Sequence, residues 1–168
     1  VAAGRGNRIH LYDLHRGALE AELVDPDLGT QAAHHDNVHA LAFNRDGLLA
    51  SGGFRSVKLW SRGSYPARIG KLLPEAPTTL SVSPNGEWIA TGDSKGNLLL
   101  QSLGQAVEIK PEGKHASTIR AAIFSGDSAT LFSISENKIL RSSVSDPKAW
   151  KSIKSLPEST SLALLEGG

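Results

Sequence analysis

Apolar residues in this chain come in short runs, each ended within a few positions by Gly, Asp, Asn or Pro. The clearest stretch lies between His34 and Trp60. There Val38–Phe43, Leu48–Ser51 and Val57–Trp60 are separated by Asn44-Arg45-Asp46-Gly47 and Gly52-Gly53-Phe54-Arg55. Gly and Asp in such gaps supply the positive-φ positions that tight hairpin turns need. The runs carry β-branched and aromatic residues and are too short for helices, so they predict a three-stranded antiparallel meander. No window sustains the i, i+3, i+4, i+7 spacing of an amphipathic helix. All eight prolines, from Pro26 to Pro157, fall in predicted links or turns, where a sheet tolerates them.

The pattern repeats. Leu41-Ala-Phe-Asn-Arg-Asp-Gly47 returns as Leu80-Ser-Val-Ser-Pro-Asn-Gly86, as Ala122-Ile-Phe-Ser-Gly-Asp-Ser128 and, degraded, as Leu162-Ala-Leu-Leu-Glu-Gly-Gly168. These copies start at positions 41, 80, 122 and 162, a period of about 40 residues, which marks a repeat architecture. A second strand recurs as Leu49–Gly53, Ile89–Asp93 and Leu131–Ser135, with Val1–Gly4 as an earlier member. A third recurs as Ile9–Tyr12, Val57–Trp60, Leu98–Gln101 and Ile139–Ser142. A fourth, less regular, is expected at Ala18–Leu23, Ala67–Leu72, Gln105–Ile109 and Ala149–Ile153. The expectation is an all-β chain, one region over residues 1–168. Its four-stranded units run approximately 1–24 (partial), 34–73, 77–110 and 115–155, with the start of another at 160–168. The one long insertion is the link from Val24 to Asp36.

Composition narrows the chemistry. A formal charge of +1 gives no net-charge argument for nucleic acid or membrane, and no apolar run approaches a membrane span. The absence of cysteine removes disulfides, thiolate zinc sites and a Cys nucleophile. The chain opens on Val1 directly into a strand pattern and is read as a piece of something longer.

Four-stranded units of this period, with Tyr12 or Trp60 closing the third strand, resemble the blades of a WD40 β-propeller. His34 stands at the family's Gly-His position, Asn44–Gly47 at its Ser-Pro-Asp-Gly turn, and Trp60 at the WD tryptophan. Tyr12-Asp13 matches the WD dipeptide in the first unit. The resemblance implies a buried polar network of His34, Ser51 and Trp60 in unit two and of His115 with Ser133 in unit four. Departures imply that this network is complete nowhere. The Gly53–Ser56 turn is one residue short and lacks the family's Asp, unit three has no His before Thr79, and Gln101 and Ser142 replace Trp. The wording from Leu49 to Trp60 is also similar to a subgroup of large, often exported bacterial proteins that join WD40 repeats to a c-type cytochrome domain. That likeness implies an extracytoplasmic compartment, whereas the WD40 reading alone leaves the chain cytoplasmic.

Candidate chemistry is weak. Gly92-Asp-Ser-Lys-Gly96 has the spacing of a nucleophile elbow, yet Asn97–Leu100 reads as strand where that motif needs a helix. His34, His35, Asp36 and His39 are the densest set of potential metal ligands, but adjacent residues of an extended segment point to opposite sides. Gly4-Arg-Gly-Asn-Arg8 lacks the helix that a phosphate cradle needs. The expectation is therefore no catalysis, no cofactor, no metal and no nucleic acid. More suggestive are the turns between second and third strands, which share one face with the inter-unit links. They carry Arg5, Arg8, Phe54, Arg55, Lys95 and Lys138, with His35 on the neighbouring link. Aromatic and Arg residues are the usual interface anchors, so these are candidate partner-binding residues of a protein-interaction scaffold. Missing units or a second copy are expected to close the ring. The alternative is an accessory propeller of a cytochrome-bearing redox protein, or a propeller enzyme using its central channel.

Overall fold

The computed structural model describes residues 1–61, 67–69, 75–103, 108–109, 115–136, 138–146 and 151–155. They form four antiparallel sheets, each a meander in chain order. The first holds β1 (Ala2–Arg5), β2 (Arg8–Asp13) and β3 (Ala18–Leu23). The second holds β4 (Ala40–Phe43), β5 (Leu49–Gly53), β6 (Ser56–Trp60) and β7 (Ala67–Ile69). The third holds β8 (Pro77–Val82), β9 (Trp88–Asp93), β10 (Leu98–Ser102) and β11 (Glu108–Ile109). The fourth holds β12 (Ala121–Phe124), β13 (Thr130–Ser135), β14 (Lys138–Ser143) and β15 (Lys151–Ser155). The Val24–Asp36 insertion adds one 3-10 turn, Pro26–Leu28. The expected copy at 162–168, and parts of the fourth strands at 70–72, 105–107 and 149–150, lie outside the described residues.

Polar residues at the ends of the first strands set the hairpins. Asn44 Oδ1 accepts from the N–H of Asp46 (3.0 Å) and Leu48 (2.8 Å), and Gly47 completes the turn at φ 83°. Ser83 repeats the device, its Oγ accepting from Trp88 N at 2.9 Å, and Ser125 Oγ accepts from Thr130 N at 2.9 Å. A side chain that satisfies the turn's own N–H groups favours the turn over any extended alternative.

Strands in the middle of the array are buried on both faces. In β5, Leu49, Ala50, Ser51, Gly52 and Gly53 are all buried. Pleating sends Leu49 and Ser51 toward the first sheet, where Leu49 joins Ile9, Ala33 and Trp60 in one apolar cluster. Ala50 faces the other way and joins Val57, Leu80, Val82 and Ile89. A third cluster, with Leu100, Ile119, Phe124 and Leu131, lies between the third and fourth sheets. Packing of β4 on β8 and of β8 on β12 lines up the first strands of successive sheets. Each sheet thus buries its faces only against its neighbours, as stacked repeats do.

Candidate functional site

His34 arrives on the long link and inserts its ring into the second sheet, 1% exposed. Its Nε2 lies 2.7 Å from Ser51 Oγ, and the Trp60 indole N–H donates to that same oxygen at 2.8 Å. On the other side of the ring, Nδ1 lies 3.1 Å from Ser56 Oγ. Burial first, then the Lys58 ammonium, lowers the His34 pKa from 6.5 to about 4. A neutral imidazole has one donor nitrogen and one acceptor nitrogen, and the two serine hydroxyls suit either tautomer. Where the family's turn supplies an Asp, this short turn supplies Ser56.

Fit at this point depends on a missing side chain. A Cβ on residue 53 would sit 2.5 Å from His34 Nδ1, so Gly53 is what admits the ring. Gly53 pairs with Ser56, leaving Phe54-Arg55 as a two-residue turn. Arg55 has φ 55°, a left-handed conformation that costs a non-glycine residue about 1–2 kcal/mol. His34 contacts both residues that flank the turn, which holds the strained conformation in place. Phe54, 51% exposed, and Arg55 project from it.

A second buried group was missed by the sequence reading. Lys58, 4% exposed in mid-β6, donates to Asp25 Oδ2 and to Ala33 O, the latter at 2.6 Å. Asp25 is 1% exposed and uses its other oxygen to accept from Asp27 N at 3.0 Å, capping the 3-10 turn. Main-chain bonds extend this latch. Ala33 N (2.9 Å) and His34 N (3.1 Å) both donate to Asn7 O, Val38 N donates to Gly6 O (2.8 Å), and His39 N donates to Gly52 O (2.7 Å). The link therefore bridges the β1–β2 turn and the second sheet, bringing Arg5, His35, His39 and the Phe54–Arg55 turn onto one face. His35 is exposed where His34 is buried, so the two adjacent rings do not meet at one point.

Other residues singled out by sequence fall as follows. Arg5 is exposed, while Arg8 pairs with Glu22 at 2.8 Å. Lys95 pairs with Glu75, whose hydrogen bond and charge raise the lysine's pKa. Lys138 is exposed at the start of β14. His115, 1% exposed, places Nε2 2.8 Å from Ser133 Oγ, while Nδ1 has no partner among the described residues. At the place of Ser56, unit four has Lys138. Burial, then Lys138, lowers the His115 pKa to about 4. In unit three Thr91 occupies the Ser51 position, with neither His nor Trp there to meet it. Its buried hydroxyl has no partner among the described residues.

Tyr12 and Asp13 take other roles than a buried network. Ala3 stands where Ser51 would, so Tyr12 has no hydroxyl to bind; it is 38% exposed and meets the His10 ring edge-on at 6.3 Å. Asp13 Oδ1 instead accepts from His15 N (2.8 Å) and Arg16 N (3.3 Å), capping the turn after β2. Ser94 of the Gly92–Gly96 motif lies in the hairpin between β9 and β10, and the Asp93 carboxylate organises it by accepting from Lys95 N and Asn97 N. No group of three His, Asp or Glu side chains able to hold a metal converges among the described residues.

One feature of the first interface had no sequence signal. A groove of about 1240 Å³ runs between Leu11 and Leu23 on one side and Phe43, Leu48 and Trp60 on the other. Phe43 is 47% exposed in it, although its repeat equivalents Val82 and Phe124 are each 7% exposed. The first sheet has three described strands, so Phe43 faces β1 and β2 rather than an innermost strand like those that cover Val82 and Phe124.

Comparison with known proteins agrees with this geometry. The family model "WD domain, G-beta repeat" matches residues 26–61, the segment that contains the latch, the His34 network and the Phe54–Arg55 turn. No curated protein matches the chain. Neither the match nor the fold bears on the cytochrome-linked subgroup. Residues 26–61 match the WD40 repeat, and the described residues as a whole form an all-β array of four antiparallel sheets consistent with a partial WD40 propeller.

Proposed function

We propose that this chain is a non-catalytic protein-docking scaffold and that the Phe54–Arg55 turn is its main contact. WD40 repeats support protein interaction in general, and the fold alone goes no further. The observation that carries the finer reading is a half-exposed Phe beside an exposed Arg on a strained turn, held from beneath by His34. A rigid aromatic and an Arg are the pair that most often anchors interfaces, and a turn already fixed loses little entropy on binding. Arg5, His35, Lys95 and Lys138 extend the same face, with Arg8 engaged by Glu22. Affinity capture with the wild type and with Phe54→Ala/Arg55→Ala tests this reading. Specific partners should be lost from the double variant while its urea midpoint stays within experimental error. An unchanged partner profile would sink the assignment.

A second reading concerns assembly, and Phe43 favours it. Its exposure, set against burial of Val82 and Phe124, supports a further strand or sheet beside β1, from more of the same protein or from a second copy. Mass in solution tests this, since a compact monomer of 168 residues would contradict it.

A further inference from the structure

We propose that the Phe54–Arg55 turn and the 35–39 link together form a docking site for an acidic peptide segment that carries an aromatic or large aliphatic side chain. The inference deepens the docking reading above and rests on it. Charge on this face is uneven. Arg8 and Lys95, toward either side, are neutralised by Glu22 and Glu75. Arg5 and Arg55 make no ion pair among the described residues, and the link between their turns exposes two imidazoles, His35 and His39. The link's own acid, Asp36, turns its carboxylate back to accept from Asn37 N at 2.7 Å. Two guanidiniums without an ion pair among the described residues and two imidazoles thus share this face with one carboxylate, one oxygen of which is hydrogen-bonded to the backbone.

Guanidinium binds carboxylate through two parallel charge-assisted hydrogen bonds, which favours an acidic ligand over a merely polar one. Phe54 beside Arg55 adds an apolar contact that excludes water, and the ion pairs strengthen as local dielectric falls. The site is also preformed. Lys58 and Asp25 latch the link, and His34 fixes both flanks of the turn, so binding has little left to order. Nucleic acid is a poorer fit, because the cations on this patch are few for tracking a phosphate backbone and no second exposed Phe, Tyr or Trp, among the described residues, joins Phe54 there.

Fluorescence anisotropy with the whole chain tests the proposal. The probes are labelled short peptides with a central Phe-Leu flanked by Glu, by Ser or by Lys, and a single-stranded oligonucleotide. The Glu peptide should bind about tenfold or more tighter than the Ser peptide, and the gap should narrow as salt rises. Arg55→Gly should abolish most of that gap; it keeps the left-handed backbone, so folding is not at risk. Arg5→Glu should act in the same direction, and Phe54→Ala should weaken the Glu and Ser peptides alike. Equal affinity for all three peptides through Phe54 would overturn the acidic preference and leave the docking reading intact. Tighter binding of the oligonucleotide, binding indifferent to Arg55→Gly, or no binding by any probe would overturn the proposal itself.

Discussion

Replacing Lys58 with methionine removes an ammonium from a site where its side chain is 5% exposed and that of Asp25 is 2% exposed. Methionine keeps most of the apolar stem, so packing changes little and the electrostatic loss dominates. Breaking one side of a buried ion pair costs about 3–5 kcal/mol, because the remaining charge stays desolvated. The hydrogen bond to Ala33 O disappears as well. Equilibrium urea unfolding should therefore show a loss of about 3 kcal/mol or more for Lys58→Met. Asp25→Asn/Lys58→Met should recover at least half of it, because the amide oxygen still caps the 3-10 turn and no net charge is left buried. Hydrogen exchange should locate the damage, with faster exchange at the amides of Ala33 and His34, which Asn7 O holds. A loss below about 1 kcal/mol with unchanged exchange at those amides would refute the latch.

Ser51→Ala takes the acceptor from the buried Trp60 N–H and a partner from His34, and should cost about 1–3 kcal/mol by urea unfolding. Acid should act through both buried histidines. Their pKa values lie lowered from 6.5 to about 4, so between these values the unfolded chain binds more protons than the folded one. Stability should be full above pH 6.5 and fall toward pH 4, by about 3 kcal/mol per histidine at most, and His115→Gln should flatten that fall. Two positive-φ glycines should separate backbone strain from crowding in thermal melts. Gly47→Ala meets nothing within 4 Å at φ 83° and should cost about 1 kcal/mol. Gly96→Ala, at φ 78°, would also press its Cβ into the His115 carbonyl oxygen and should cost clearly more.

The strands were legible because the turns announce them. Asn44-Arg-Asp-Gly47, Pro84-Asn-Gly86 and Ser125-Gly-Asp127 punctuate apolar runs at a fixed period, which the second, third and fourth sheets follow, while the Val24–Asp36 insertion sets the first sheet further back. His34, Ser51 and Trp60 were legible through the WD40 resemblance, which implies a buried polar network at those positions, and the fold joins them by hydrogen bonds. Lys58 was not, because a lysine inside Val57-Lys-Leu-Trp60 resembles an outward-facing strand position. The available signal was that both faces of a middle sheet are buried, so a mid-strand cation requires a counter-ion. Asp25 lies far away in the insertion, and only the folded link brings it within reach. Ser56 was hidden by the shortened turn, and Phe43 by being an ordinary apolar strand residue whose cover depends on the neighbouring sheet.

If partners meet this protein at the turn that His34 holds, a photo-crosslinking benzoylphenylalanine placed at Phe54 should capture them, with one at Leu14 as control. Leu14 is 73% exposed and lies in the β2–β3 turn, at the opposite ends of the strands. Discrete crosslinked partners are expected from position 54, lost when Arg55 becomes Gly, and none shared with position 14. The same adducts from both positions, or adducts from position 14 alone, would contradict docking at this turn.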